Sequence, residues 1–205
     1  SDLREYTDLR LAQGQREPQI TGWGYYAILL LVVGVEALLN YETLRRVTWV
    51  NSPAMAVGLT LGVALGIGAA AHIHGTIRKQ WNYWFDAGDN ARELQAASLL
   101  TLGGVLVTAA LGFIGYGRFS YIAPLVDRAI LLGETPPNLP MAVVASVLTN
   151  VICYLVSLVA AFYFHDANPE YPIKAAKAQN LSAALEARRR AELDVPFRQF
   201  ESKRQ

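Results

Sequence analysis

The sequence predicts an all-α integral membrane protein: a bundle of four transmembrane helices, an interfacial amphipathic segment before the last of them, and a C-terminal cytoplasmic helix. Three observations predict it. The 205-residue chain is 53% hydrophobic and only 17% charged, whereas soluble domains carry roughly a quarter charged residues. The apolar residues gather into four blocks at 21–41, 54–75, 94–114 and 140–164, with the charges in the gaps and tails. Each block is close to the ~20 residues a helix needs to cross a bilayer core of roughly 30 Å.

The organisation that follows is an N-terminal cytoplasmic tail (1–20), a transmembrane domain (21–165) and a C-terminal helical tail (166–205). The net charge of +1 offers no electrostatic footprint for nucleic acid. The single cysteine, Cys153, allows no internal disulfide. Residues 1–20 are polar and of mixed charge, unlike a secretory signal peptide. Block one lacks a small-residue cleavage site and reads as a retained anchor. Ser1 stands where a Met would start a chain, so processing, or a longer parent chain, is expected.

Taken in order, the tail has Gly14 and Pro18 to close any short helix. Block one opens on Trp23, Tyr25 and Tyr26 and closes on Tyr41, aromatics suited to the two headgroup belts. Pro53 sits in the first turn of block two, where its missing N–H costs nothing. Block two has no charged residue and places Gly58, Gly62, Gly66 and Ala70 four apart, on one helix face. Small-xxx-small rows let helices approach closely in lipid, within one chain or between subunits. This helix is expected to be the packing centre.

The loop at 76–93 is polar and basic around an aromatic cluster, Trp81, Tyr83, Trp84 and Phe85, expected at the interface. Block three carries adjacent Gly103 and Gly104. Residues 115–132 change character, apolar on all sides around Asp127 and Arg128 and interrupted by Pro124. Too short to span, they are expected to lie in the interface. Three prolines make 133–140 a turn. Block four has Asn150 near its middle, and Pro169 and Pro172 stop it. The alanine-rich stretch at 173–193 is a helix by propensity, with Ala178, Leu181 and Leu185 on one face for a short coiled coil or a cytoplasmic partner; 195–205 is expected to fray. Lysine and arginine favour the two tails and the 76–93 loop, so both termini are expected in the cytoplasm.

Candidate chemistry is sparse. Glu36 is the only ionisable residue well inside a block, roughly 20 Å from the block's start at 1.5 Å per residue. An intramembrane carboxylate is costly and usually faces a protein interior or a water-filled cavity. With no Lys or Arg at its depth, it is expected to be protonated or reached by water. Thr60 lies at similar depth and is the expected hydrogen-bond partner. An ion or proton site is one reading; structural glue between helices is the other.

All three histidines, His72, His74 and His165, together with Asp166, fall at the same end of the bundle. Imidazoles and a carboxylate suit a metal, and His72 with His165 suits haem axial ligation. Against this, His72 and His74 point about 200° apart on a regular helix. Asn150 reads as an interhelical hydrogen bond. No nucleotide loop, HExxH or GxSxG is present, and the glycines of block two have no phosphate-binding context.

Three function classes follow. The first, favoured, is a non-enzymatic subunit of a homo-oligomeric or multi-protein membrane assembly, conducting or transporting ions or protons. The second is a metal- or haem-binding redox subunit using His72 and His165. The third is a passive scaffold. The lipid bilayer is a partner in all three.

Overall fold

The computed structural model describes residues 2–12, 22–47, 49–85 and 88–202. Among them every regular element is a helix: α1 (Asp2–Ala12), α2 (Trp23–Arg45), α3 (Pro53–Lys79), α4 (Trp81–Phe85), α5 (Asn90–Leu132), α6 (Leu139–Phe164) and α7 (Glu170–Ser202). Four of them, α2, α3, α5 and α6, are long and apolar enough to cross a membrane. The closure of the first tail by Gly14 and Pro18 lies outside the described residues.

Local signals start and stop the spans. Ser52 caps α3, its hydroxyl accepting from the Met55 N–H at 3.2 Å, with Pro53 at the first helical position. Asp89 caps α5 by accepting from the N–H groups of Ala91 and Arg92. Asn138 does the same for α6 through Met141, at 3.1 Å. Such caps satisfy N–H groups that the first turn leaves orphaned. Gly133 ends α5 at φ 68°, a left-handed conformation that suits glycine.

Residues 21–167 form one compact unit. Within it, α3 packs against α2, α5 and α6 and makes the largest interfaces, as expected of the packing centre. Its close contacts, however, use Ala64, Ile67, Ala70, Ala71 and Gly75, all buried. A Cβ at Gly75 would overlap the Leu158 carbonyl and the Ala161 side chain of α6. Ile67 meets Ala110 and Ile114 of α5, while Tyr25 of α2 packs on Ala160 and Ala161.

One expectation is revised by the chain path. The segment at 115–132 is continuous with block three in a single helix of 43 residues, with Pro124 inside it. Such a helix is about 64 Å long, roughly twice the bilayer core. A proline removes one backbone bond, but extending an existing helix through good formers costs less than nucleating a new one. Gly117 lies against Thr43, Leu44 and Val47 near the end of α2, so the last turns of α5 continue beyond that level.

The short helix α4 holds the loop aromatics together, with Trp81 and Phe85 rings 4.3 Å apart and the Arg92 guanidinium 4.3 Å from the centre of Tyr83.

The second unit comprises the tails. Here α1 packs on α7. Tyr6 stacks on Tyr171 at 6.1 Å, and Lys174 pairs with Glu170 at 2.9 Å and Glu5 at 3.1 Å. Those carboxylates, Glu170 first, hold the Lys174 ammonium above its ordinary pKa. Ala178 is buried, while Leu181 and Leu185 are exposed. The helix runs on to Ser202, through most of the stretch expected to fray.

Candidate functional site

The inward face of α2 is polar. Its buried residues are Tyr25, Glu36, Asn40, Thr43 and Leu44, and the spacing 36, 40, 43 sets three polar side chains along one helical face. Asn40 and Asn150 of α6 exchange hydrogen bonds. Asn40 Nδ2 donates to Asn150 Oδ1 at 2.7 Å and to the Glu36 carbonyl at 2.9 Å; Asn150 Nδ2 donates to the Ser146 carbonyl at 2.8 Å and, at 3.4 Å, to Asn40 Oδ1. The interhelical role read for Asn150 thus has a named partner. One turn further along α2, Thr43 accepts from Arg118 Nη1 of α5 at 3.0 Å.

Glu36 sits below this pair with 1% of its surface exposed. Neither carboxylate oxygen has a hydrogen-bond partner among the described residues. Thr60, the expected partner, is buried, but its hydroxyl donates to the Ala56 carbonyl of its own helix at 2.7 Å. A threonine in an apolar helix satisfies itself locally in this way, without a partner helix at a set height. On α6, Cys153 is half-buried. Ser157, one turn on, is buried with an equally unpartnered hydroxyl. Among the described residues, three of the five orphaned side-chain atoms, both Glu36 oxygens and Ser157 Oγ, belong to α2 and α6; a buried group without a partner costs about 1–3 kcal/mol or more.

The four residues proposed for a metal divide. His74 is turned toward α5 and α6. Its Nε2 donates to the Leu100 carbonyl at 3.0 Å, which assigns the ring proton to that nitrogen, and its Nδ1 accepts from the Tyr154 hydroxyl. Both nitrogens are spent. Gly103 makes the room: a Cβ there would stand 2.7 Å from Nε2. Neither Tyr154 nor Gly103 announces this role in the sequence; the adjacent glycines are the only hint.

His72 and His165 do meet, on the opposite side of α3. Their rings lie edge-to-face with centroids 5.1 Å apart. Tyr25 is hydrogen-bonded to His72 Nδ1, and His165 Nδ1 donates to the Ala161 carbonyl at 2.8 Å. Rings in such contact leave no space for a porphyrin plane between them, so the haem arrangement does not fit. Asp166 meets Gln80 through its backbone carbonyl, at 3.2 Å. Among the described residues no group of three or more His, Cys, Asp or Glu is placed to hold a metal ion. The helical offset of His72 from His74 accounts for the split.

The glycine row is placed unexpectedly. A Cβ at Gly58, Gly62 or Gly66 would meet nothing within 4 Å. The three line a groove of about 460 Å³ with Trp49, Leu106 and Phe113. Ala70, the fourth member, is fully buried. Among the described residues, its three glycines are therefore open while Ala70 is packed.

Together these features define an all-helical chain with four apolar helices suited to crossing a membrane and polar side chains turned into the bundle. No family model, curated protein or solved structure matches it.

Proposed function

We propose that the protein is a non-enzymatic membrane subunit that carries protons on Glu36 within a larger assembly. One observation carries this reading: a carboxylate 1% exposed, with neither oxygen bonded, is costly to keep in a bilayer and is by default a functional group. A proton suits it better than a metal cation. Hard cations take six or more oxygens, and the two nearest amides on α2 and α6 bond each other and adjacent backbone carbonyls. The open row Gly58, Gly62, Gly66 supports assembly, because it offers a close-packing face that the chain itself leaves uncovered. Both termini are placed in the cytoplasm by the lysine and arginine bias; reporters after Gln205 and within 133–140 should then report opposite sides.

The deciding experiment is proton flux in proteoliposomes under an imposed pH gradient or membrane potential. Glu36→Gln keeps shape and removes titration, so it should insert and fold normally and abolish the flux. Flux unchanged in Glu36→Gln, or none in the wild type under either driving force, would refute the reading and leave an anchor or scaffold.

A second reading, a metal-dependent redox subunit, rests on the contact between His72 and His165, whose Nδ1 atoms are both anchored by neighbours, as is usual for metal-bound imidazoles. Stoichiometric metal in the purified protein, lost in both His72→Ala and His165→Ala but retained in Glu36→Gln, would support it; a metal-free wild type would end it.

A further inference from the structure

The end of the bundle where α2 finishes carries two arginines, Arg46 and Arg118, that pair with no carboxylate among the described residues. Arg118 of α5 reaches the buried Thr43 hydroxyl at 3.0 Å, and its Nε is buried with no partner. One turn further along each helix, the Arg46 guanidinium lies over the Tyr121 ring, 5.5 Å from its centre. These are successive rungs of one contact, since 43 to 46 on α2 rises beside 118 to 121 on α5. The two arginines thus occupy adjacent rungs of the α2–α5 contact, and that stretch of the contact is a basic patch. The nearby acid, Glu42, pairs with Arg45 at 3.6 Å, and among the described residues no acid forms an ion pair with Arg46 or Arg118.

The patch is built into the packing. Gly117 lets α5 close on α2, where a Cβ would stand 3.2 Å from Leu44 Cδ2 and 3.4 Å from Thr43 Cγ2. That approach brings Arg118 onto Thr43. Two arginines on adjacent rungs of one helix contact are suited to share an anion. Their planar forks match phosphate oxygens in paired hydrogen bonds, which an ammonium does not. A lipid phosphate is one source of such an anion. The patch lies at the end of the apolar run of α2, where arginines extend toward the headgroups.

We propose that Arg46 and Arg118, braced by Tyr121 and Thr43, form a binding site for a phosphate-bearing anion, either a phospholipid headgroup or a soluble phosphate. The Arg118 Nε–H, orphaned in the chain alone, is one of its donors. The site stands independently of proton transfer at Glu36.

The test uses the full chain in non-ionic detergent. The probes are short-chain phosphatidic acid, short-chain phosphatidylcholine and inorganic phosphate, each titrated by calorimetry. Arg118→Gln and Arg46→Gln should each weaken binding about tenfold, near 1.4 kcal/mol; Arg118→Lys should recover it only in part. Arg128→Gln, an exposed arginine beyond the patch, should bind as wild type does. Arg46 is exposed, so its variant keeps the test decisive if Arg118→Gln fails to fold. Phosphatidic acid binding while inorganic phosphate does not would assign the headgroup, and the reverse a soluble anion. Wild type binding neither, or Arg128→Gln losing as much as Arg46→Gln, would overturn the proposal.

Discussion

His74 and Glu36 are both polar side chains turned into the same bundle, and their surroundings treat them oppositely. Around His74, a glycine clears the space, a helix carbonyl takes the Nε2 proton and a tyrosine hydroxyl meets Nδ1. Around Glu36, nothing among the described residues bonds either oxygen. The first arrangement ties α3 to α5 and α6 and stabilises the fold. The second adds nothing to stability that a leucine would not improve. That contrast is the ground on which a proton-carrying role is proposed for Glu36. The inward face of α2 extends the contrast: Asn40 and Thr43 both have partners on other helices, and the Glu36 carboxylate between Asn40 and Tyr25 has none among the described residues.

The largest expected effect is on stability, and it tests the contrast directly. His74→Ala removes a packed ring and strands the Tyr154 hydroxyl, so it should cost about 2–4 kcal/mol. Glu36→Leu replaces an unbonded acid by an apolar side chain of similar size and should raise stability by about 1–3 kcal/mol. Denaturant unfolding in mild detergent compares the two. A Glu36→Leu loss as large as that of His74→Ala would mean the carboxylate is bonded after all.

The glycines sharpen the same distinction at smaller scale. Gly103→Ala places a Cβ against His74 Nε2 and should cost about 1–3 kcal/mol through overpacking. Gly62→Leu projects into open space and should change the stability of the isolated chain by no more than about 0.5 kcal/mol, while abolishing crosslinked oligomers. If Gly62→Leu unfolds the chain, or leaves oligomers intact, the row is not an interface between copies.

The smallest effect concerns an exposed ion pair, the opposite of the lone acid at Glu36. Glu170 and then Glu5 raise the Lys174 pKa above its ordinary 10.5. A raised lysine contributes stability below its unfolded pKa and loses it as pH climbs through the folded value. Helicity of the α1–α7 unit should therefore fall slightly at strongly alkaline pH, and Lys174→Gln should remove that dependence. Exposure to solvent keeps the effect small. A wild type and a Lys174→Gln variant with identical alkaline profiles would show that the pair contributes nothing.

Much of the fold was legible along the chain. Ser52 with Pro53, and Asn138 with Pro140, begin α3 and α6 close to where the composition changes. Glu36 was already visible as the one ionisable residue well inside an apolar block. Other features were not legible. Arg118 sits in a stretch whose composition suggests an interfacial segment, so its reach to Thr43 was hidden until 115–132 proved continuous with the span. Thr60 shares the approximate depth of Glu36, yet depth does not say which way a hydroxyl turns. The glycine row is periodic whether or not a helix covers it.

What the sequence determined by itself was the presence of four helices long and apolar enough to cross a membrane and the rarity of a charge within them. Each depends on transferring one helix into hydrocarbon, a free energy summed over that helix's own residues. Only the tertiary structure decided that His74 is fully bonded, that His72 meets His165, that Glu36 is bare and that Gly75 rather than Gly62 lies at a close crossing. These depend on how far each helix is rotated and how high it stands beside its neighbours. In lipid those settings come from many weak packing contacts among four helices at once, which no single stretch of sequence contains.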